Sequence, residues 1–306
     1  MKILIAGGSG YIGRRLSASL LEDGHEVVVL SRSDRLRSTS TRVRFVTWDA
    51  RTAAAPWSSE LNGADGIVNL AGASIGAGRW TRRQMAKILA SRLQATSAIV
   101  EAMGQTPPAR RPRVLVNASG IDYYGNRGEE SVTEESAPGD SFLAGVTQQW
   151  EASAAGAQAL GVRVVMMRTA LVFGRGALAF RLLTLPFQLF VGGPLGNGRQ
   201  WFTWIHVDDL VALYRLALED SRLSGPINAV APGIRPQREV AQAIGRVLHR
   251  PAVMPAPAPL LRLALGKQSE LLLHGRRALP EKAGALGFRF RFADLDQALK
   301  NALRRG

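Results

Sequence analysis

Three glycines, Gly7, Gly10 and Gly13, follow the short apolar run Ile3-Leu4-Ile5-Ala6 and open a stretch in which Ile12, Leu16 and Leu20 recur every four residues. A strand, a glycine turn and a helix in that order bring backbone N–H groups up to a pyrophosphate, and the helix N-terminus adds partial positive charge there. Gly7 permits the tight turn, Gly10 the close approach and Gly13 the packing of helix on strand, with Ser9, Tyr11 and Ile12 completing the cradle. The chemistry such a turn serves is dinucleotide binding; the alternative is a turn that only shapes the chain. A carboxylate about 20 residues further on would select NAD. Here the sequence reads Leu30-Ser31-Arg32-Ser33, and no carboxylate comes before Asp34. Arg32 can grip a 2′-phosphate while Ser31 or Ser33 donates to it, so NADP is the expected cofactor. Asp49 either accepts from the adenine amino group or stabilises a turn.

A second group of chemistry-bearing residues lies in the turn-rich stretch Gly192 to Trp204. Arg199 could bind a phosphate or carboxylate, Gln200 a hydroxyl and Trp201 a ring face, against the alternative of a structural turn with buried aromatics. The four histidines are scattered, no His/Asp/Glu group has metal-ligand spacing, and no metal is expected. The chain has no cysteine, which excludes disulfides and thiolate catalysis. The pairs Glu129-Glu130 and Glu134-Glu135 sit in a polar stretch and are expected to face solvent.

The elements that must position these residues follow from pattern. Strands are expected at Glu26–Leu30, Val43–Thr47, Gly66–Leu70, Arg113–Val116 and Val162–Met167. Helices are expected from an N-cap at Thr81 to Met103, around Thr147 to Leu160, over Val207–Leu218 and Arg238–Leu248, and at the end, where Leu295, Leu299 and Leu303 are four apart. Alternating strands and helices predict an α/β fold, a Rossmann-type doubly wound parallel sheet with right-handed crossovers. Residues 1–174, with 204–231, are read as the nucleotide-binding domain. Residues 175–203 and 232–306 are read as a smaller C-terminal substrate lobe.

The 306 residues carry a formal charge of +15. Arginines spread along the chain supply nearly all of it. This reads as a solvated basic surface that favours a small, anionic substrate, with no specific nucleic-acid partner. No apolar run reaches the ~20 residues of a membrane span. The longest, Leu182 to Val191, is interrupted by Pro186. With no leader pattern either, a cytoplasmic protein without a membrane partner is expected.

The stretches NLAGASIGAGRWT (69–81), ASGIDYYG (118–125), GGPLGNGRQWFTWIHVDDL (192–210) and GPINAVAP (225–232), with the glycine turn, resemble the extended short-chain dehydrogenases/reductases, and among them the epimerase-family proteins of the 39U type. The likeness runs over nearly the whole chain. It implies a Rossmann core with Leu70, Ala71 and Gly72 lining the cofactor and Arg92 reaching it from the long helix. Related proteins often dimerise through that helix, so a homodimer is an open expectation. The superfamily works with a serine and a Tyr-x-x-x-Lys pair, in which the lysine lowers the tyrosine pKa. Ser119 stands where the serine should be. The pair is missing: its positions hold Phe142 or Leu143 and Val146 or Thr147. Tyr124, a phenol that could titrate low beside a cationic cofactor, is the substitute candidate. Two readings stay open: an atypical oxidoreductase or epimerase acting by hydride transfer at a hydroxyl or ketone, and a non-catalytic NADP(H)-responsive binding or regulatory protein.

Overall fold

In the computed structural model, residues 1–32, 42–54 and 56–304 are described. Ser33 and Asp34 lie outside them. The sheet strands are β1 (Lys2–Ala6), β2 (Glu26–Ser31), β3 (Val43–Thr47), β4 (Gly66–Asn69), β5 (Val114–Gly120), β6 (Arg163–Thr169) and β7 (Gly225–Ala229). The main helices are α1 (Tyr11–Glu22), α2 (Arg82–Gln105), α3 (Phe142–Ala155), α4 (Leu178–Gln188), α5 (Val207–Glu219) and α6 (Gln237–Leu248).

Alternation along each central strand feeds two layers. Ile3 and Ile5 of β1 pack with Leu16 and Leu20 of α1 and with Leu210 and Leu213 of α5. Leu4 and Ala6 pack on the opposite face with Ala95, Ile99 and Met103 of α2. All seven strands are parallel, in the order β3-β2-β1-β4-β5-β6-β7. The strand order reverses between β1 and β4, and sheets of this kind bind ligands outside the carboxyl ends of the strands at such a switch point. β7 is a strand the sequence reading lacks. Its Gly225-Pro226 start weakens the strand pattern and is tolerated because β7 is the edge.

Two boundaries differ from expectation for local reasons. α3 begins at Phe142 rather than near Thr147, because the Ser141 hydroxyl accepts the Ala144 N–H and caps the helix. At its other end, α-helix gives way to a 3₁₀ turn over Gly156–Leu160. Thr81 caps α2 as the sequence predicts, accepting from the Gln84 N–H.

Beyond β6, Phe173, Trp204, α4, α6 and the helix Leu295–Leu303 enclose a separate apolar core. Late in the chain, Arg277–Ala278 pairs with Ser131–Val132, which ties this region back to the segment after β5. No helix among the described residues is long and apolar enough to cross a membrane.

The glycine turn carries a steric demand. A Cβ on Gly13 would stand 2.5 Å from the Gly8 Cα and 2.6 Å from its carbonyl oxygen, both backbone atoms. Gly13→Ala should therefore destabilise the fold by about 1–3 kcal/mol, read as a lower urea midpoint. An unchanged midpoint would show that α1 can move off the turn freely.

Candidate active site

The crevice between β1 and β4 is lined first by backbone. Gly7 has φ +74°, and a Cβ there would come 2.9 Å from the Leu70 carbonyl carbon, so the turn and the segment after β4 lie against each other. Gly10 is exposed at the start of α1. A Cβ on it would meet only the Gly7 carbonyl, at 3.3 Å. No side chain caps α1 and its first turn holds no acidic residue, so its N-terminal N–H groups and partial charge face the crevice uncompensated. These features fit a pyrophosphate. Ser9 and Ser31 come together across the turn, with hydroxyl oxygens 3.4 Å apart. Arg32 follows at the end of β2, exposed. Tyr11 is half-buried against Gly174, which fixes the outer wall of the turn. Ile12 is partly buried against the sheet core.

Leu70, Ala71 and Gly72 continue from β4. Asn69 shapes this exit: its Oδ1 accepts the Ala71 N–H, while its Nδ2 donates to Asn117 and to Thr96 of α2. Gly72 is exposed, and a Cβ there would lie 3.4 Å from Arg92. Arg92 is held in place by Nη1, which donates to the carbonyls of Ala73 and Ile88, and by the Trp150 ring, 4.9 Å from Cζ. Burial lowers its pKa to about 10, against the stabilising charge of Asp122, so it remains cationic at neutral pH.

The carboxyl ends of β5, β6 and β7 share one buried polar network. Arg168 is bidentate to Glu151, through Nε to Oε1 and Nη2 to Oε2, both at 2.8 Å. Ser119 donates to the same Glu151 Oε1 at 2.6 Å. Arg168 Nη1 donates to the Tyr124 oxygen at 2.9 Å, and the Tyr124 hydroxyl donates to Asn228 at 2.7 Å. Here the expectation for Tyr124 is corrected. Its side chain is fully buried, and burial pushes the phenol up to about 12, with Arg168 opposing only in part. A phenol so placed holds its proton rather than titrating low. Glu134 is also corrected: it is buried, and its carboxylate accepts the N–H groups of Asn228 and Lys282.

The turn after β5 presents Asp122 to a pocket walled by Trp80, Ser141, Leu143, His274 and Arg276. Arg276 Nη1 meets Asp122 Oδ1 at 2.6 Å. The sequence does not announce this pair, because the two residues are 154 positions apart and neither stands in a motif of its own. At the start of α3, where the tyrosine and lysine of the superfamily would stand, Leu143 and Val146 are buried with Trp80 and Ile88. Phe142 packs edge-on to Trp80 at 5.3 Å. The Thr147 hydroxyl donates to the carbonyls of Leu143 and Ala144. In either register, α3 offers no phenol or amine.

Three other candidates have structural partners. Asp49 accepts the N–H groups of Arg51 and Thr52, the turn-stabilising alternative, and these bonds hold its carboxyl below the usual range. Gln200 Nε2 donates to the Leu195 and Leu272 carbonyls, and Trp201 donates to Glu129 at 2.7 Å. The Gln200 amide donors are thereby engaged, while its buried Oε1 has no hydrogen-bond partner. Arg199 is exposed on the loop.

Residues 3–230 match the NAD dependent epimerase/dehydratase family, and residues 256–302 match a Domain of unknown function (DUF1731). The epimerase family protein YfhF of Bacillus subtilis is 38% identical, over 99% of this chain and 98% of its own length. The crystal structure of human epimerase family protein SDR39U1 (isoform2) with NADPH superposes with a TM-score of 0.86 at 33% identity, covering 99% of each chain. MoeE5 in complex with UDP-glucuronic acid and NAD shares the fold at 21% identity, with a TM-score of 0.79 and coverage of 98% of this chain and 97% of that one.

The network yields two expectations. Glu151→Ala would strand Arg168 as a buried unpaired cation, and denaturant unfolding should show a loss of about 3–5 kcal/mol. A loss below about 1 kcal/mol would mean the pair is dispensable. For Tyr124, the folded chain keeps a proton that the unfolded chain releases above its ordinary pKa of 10.0. Its contribution is complete below that pH and falls as pH rises toward about 12. Tyr124→Phe should flatten this part of the alkaline decline in the unfolding midpoint. An identical decline in both proteins would place the Tyr124 pKa at its ordinary value.

Proposed function

Since the chain belongs to the NAD dependent epimerase/dehydratase family, among its members of the 39U type, we propose that it binds NADP(H) and acts as an oxidoreductase or epimerase on a hydroxyl or ketone of a small polar substrate. The observation that carries this reading is the uncapped N-terminus of α1 in the β1/β4 crevice, with Arg32 where an NAD-selective carboxylate would stand. The human relative whose structure contains NADPH supports the choice of cofactor. When bound, the dinucleotide supplies a hydride donor or acceptor.

The chain's own residues have separate roles in this reading. The turn from Gly7 to Gly13 receives the pyrophosphate, and Ser9, Ser31 and Arg32 meet the adenosine phosphate. Leu70, Ala71, Gly72 and Arg92 line the path from β4 toward the pocket at Asp122. Ser119, at the end of β5, is the serine candidate for proton handling, although its hydroxyl is engaged by Glu151. On the first substrate identified, Ser119→Ala should lower kcat with NADPH affinity unchanged. Full activity would leave Ser119 as a partner of Glu151 alone.

One observation favours a second reading, a non-catalytic NADP(H)-responsive protein. The start of α3 is closed by Trp80, Phe142, Leu143 and Val146, and no proton donor takes the place of the absent pair there. A missing general acid or base typically forfeits about 10²–10⁴ in rate. Deuterated NADPH incubated with the protein and a broad cell extract separates the readings. Deuterium appearing in a small molecule supports the enzyme, and tight NADPH binding without transfer supports the regulator.

The cofactor assignment has its own test. Tryptophan fluorescence should report tight NADPH and weak NADH binding. Arg32→Ala should weaken NADPH by about tenfold or more while leaving NADH unchanged. Equal loss for both would show that Arg32 does not read the phosphate.

A further inference from the structure

Among the described residues, every exposed large apolar side chain other than Met1 falls within 178–191 or 253–263. On α4, Phe180, Thr184 and Phe187 face the core. Leu178, Leu182, Leu185 and, just past its end, Leu189 form a second stripe at spacing i, i+4, i+7, i+11 on the solvent side. These four are 55%, 53%, 41% and 62% exposed. The outer face of a surface helix is ordinarily polar, and a contiguous exposed apolar patch marks contact with another body.

The two segments meet. The Met254 N–H donates to the Gly192 carbonyl at 3.1 Å, and the Ala256 N–H to the Pro194 carbonyl at 2.8 Å. Gly193 lies so closely under Met254 that a Cβ on it would overlap the Met254 carbonyl oxygen. The tip carrying Met254 and Val253, the latter 81% exposed, is thereby fixed beside the end of α4. Arg250 closes the junction, its Cζ 4.4 Å from the centroid of the Phe190 ring. A further helix, α7 (Ala258–Leu265), leaves the same ladder and exposes Leu260 and Leu263.

The charge of these segments has one sign. No Asp or Glu occurs between Glu151 and Asp208, or between Glu239 and Glu270. The same stretches expose Arg175, Arg181, Arg199, Arg250, Arg262 and Lys267. Arg181 sits on α4 next to the leucine stripe, and neither it nor Arg250 has an ion-pair partner among the described residues. Arg246, which pairs with Asp296, lines an open groove of about 670 Å³ with His249, Arg250 and Val253, room for a lipid headgroup. A second copy of the chain on this face would set arginine against arginine with no carboxylate from these segments to meet them. The arginines select an anionic occupant and the leucines an apolar one. A bilayer containing anionic lipid is both, with phosphates at its surface and acyl chains beneath.

We propose that α4, the tip at Val253 and Met254, and α7 form a face that docks on an anionic lipid surface without crossing it. Leucines of the stripe enter the outer acyl layer, and Arg181 and Arg250 meet headgroup phosphates. A helix lying on a bilayer needs no spanning run, so the sequence expectation of no membrane partner, drawn from run length, does not bear on this face. The face uses no residue of the glycine turn, and either reading can fail without the other.

The test sediments the full-length protein with vesicles of phosphatidylcholine alone, or of equal parts phosphatidylcholine and phosphatidylglycerol. Binding to the mixed vesicles, and little to phosphatidylcholine, is expected. Leu182→Gln with Leu189→Gln keeps every charge and should weaken vesicle binding by about tenfold or more, with an unchanged urea midpoint. Arg181→Gln with Arg250→Gln should weaken it by a similar factor. Arg110→Gln with Arg113→Gln removes the same charge at the amino end of β5 and should leave binding nearly intact. No binding to the mixed vesicles overturns the proposal. Equal binding by the leucine variant, or equal loss in the two arginine pairs, also overturns it, because net charge alone would then account for the attraction. Concentration-dependent self-association that the leucine variant abolishes, without vesicle binding, would assign the face to a second copy instead.

Discussion

Arg168 is 3% exposed, and a guanidinium that far from water must be neutralised where it stands. The region around the proposed site is organised by that requirement. In the sheet register, Ser119 of β5 and Asn228 of β7 stand level with Arg168 of β6. Glu151 of α3 supplies the counter-charge, and Tyr123 lays its ring over the guanidinium with Cζ 3.4 Å from the centroid. Tyr124 links Arg168 to Asn228, and Glu134 joins β7 to Lys282. Three strands, one helix and the turn after β5 are thereby held to one geometry. The same turn presents Asp122, so the pocket inherits its position from the network beneath it.

The two halves of the crevice are built by different means. The half proposed for the dinucleotide is mostly backbone: glycines that remove Cβ atoms, an uncapped helix end, and the segment after β4 lying against Gly7. Backbone amides and a helix dipole supply a diffuse positive field that needs no particular side chain. The other half depends on charged side chains from remote parts of the chain, Arg92, Asp122 and Arg276. Their mutual placement depends on how the late segment is strapped to Ser131–Val132 and on the seating of Gly275 under Trp201.

The start of α3 combines legible chemistry with an illegible environment. The absence of a tyrosine–lysine pair is plain in the residue types. What fills the space is a tertiary matter: Trp80 arrives from the segment before α2 and Ile88 from α2 itself to bury Leu143 and Val146. The result is an apolar wall beside a charged pocket, a surrounding that strengthens any electrostatic contact made at Asp122 and Arg276.

Much of the fold was legible because its signals are local. The apolar alternation of β1, the Thr81 cap and the glycine spacing each act over a few consecutive residues, where sterics and periodicity decide conformation. β7 is hard to read because Gly225 and Pro226 dilute its strand pattern, and the start of α3 is hard to read because it depends on the Ser141 cap rather than on periodicity. Of the candidate site, the backbone turn and Arg32 were legible from the residues themselves, and Arg92 and Ser119 through the family resemblance; the surroundings of the buried groups were not. Glu134 reads as a solvent-facing carboxylate and Tyr124 as an available phenol until the structure buries both. The Tyr124 partner Asn228 lies 104 residues away, and Arg276 lies 154 from Asp122. The sequence alone determined the strand–turn–helix proposed as the dinucleotide site, because a backbone conformation is encoded by its own residues. Only the tertiary structure decided which ionisable groups are buried and which are paired, because a charge takes its environment from whatever the fold brings beside it.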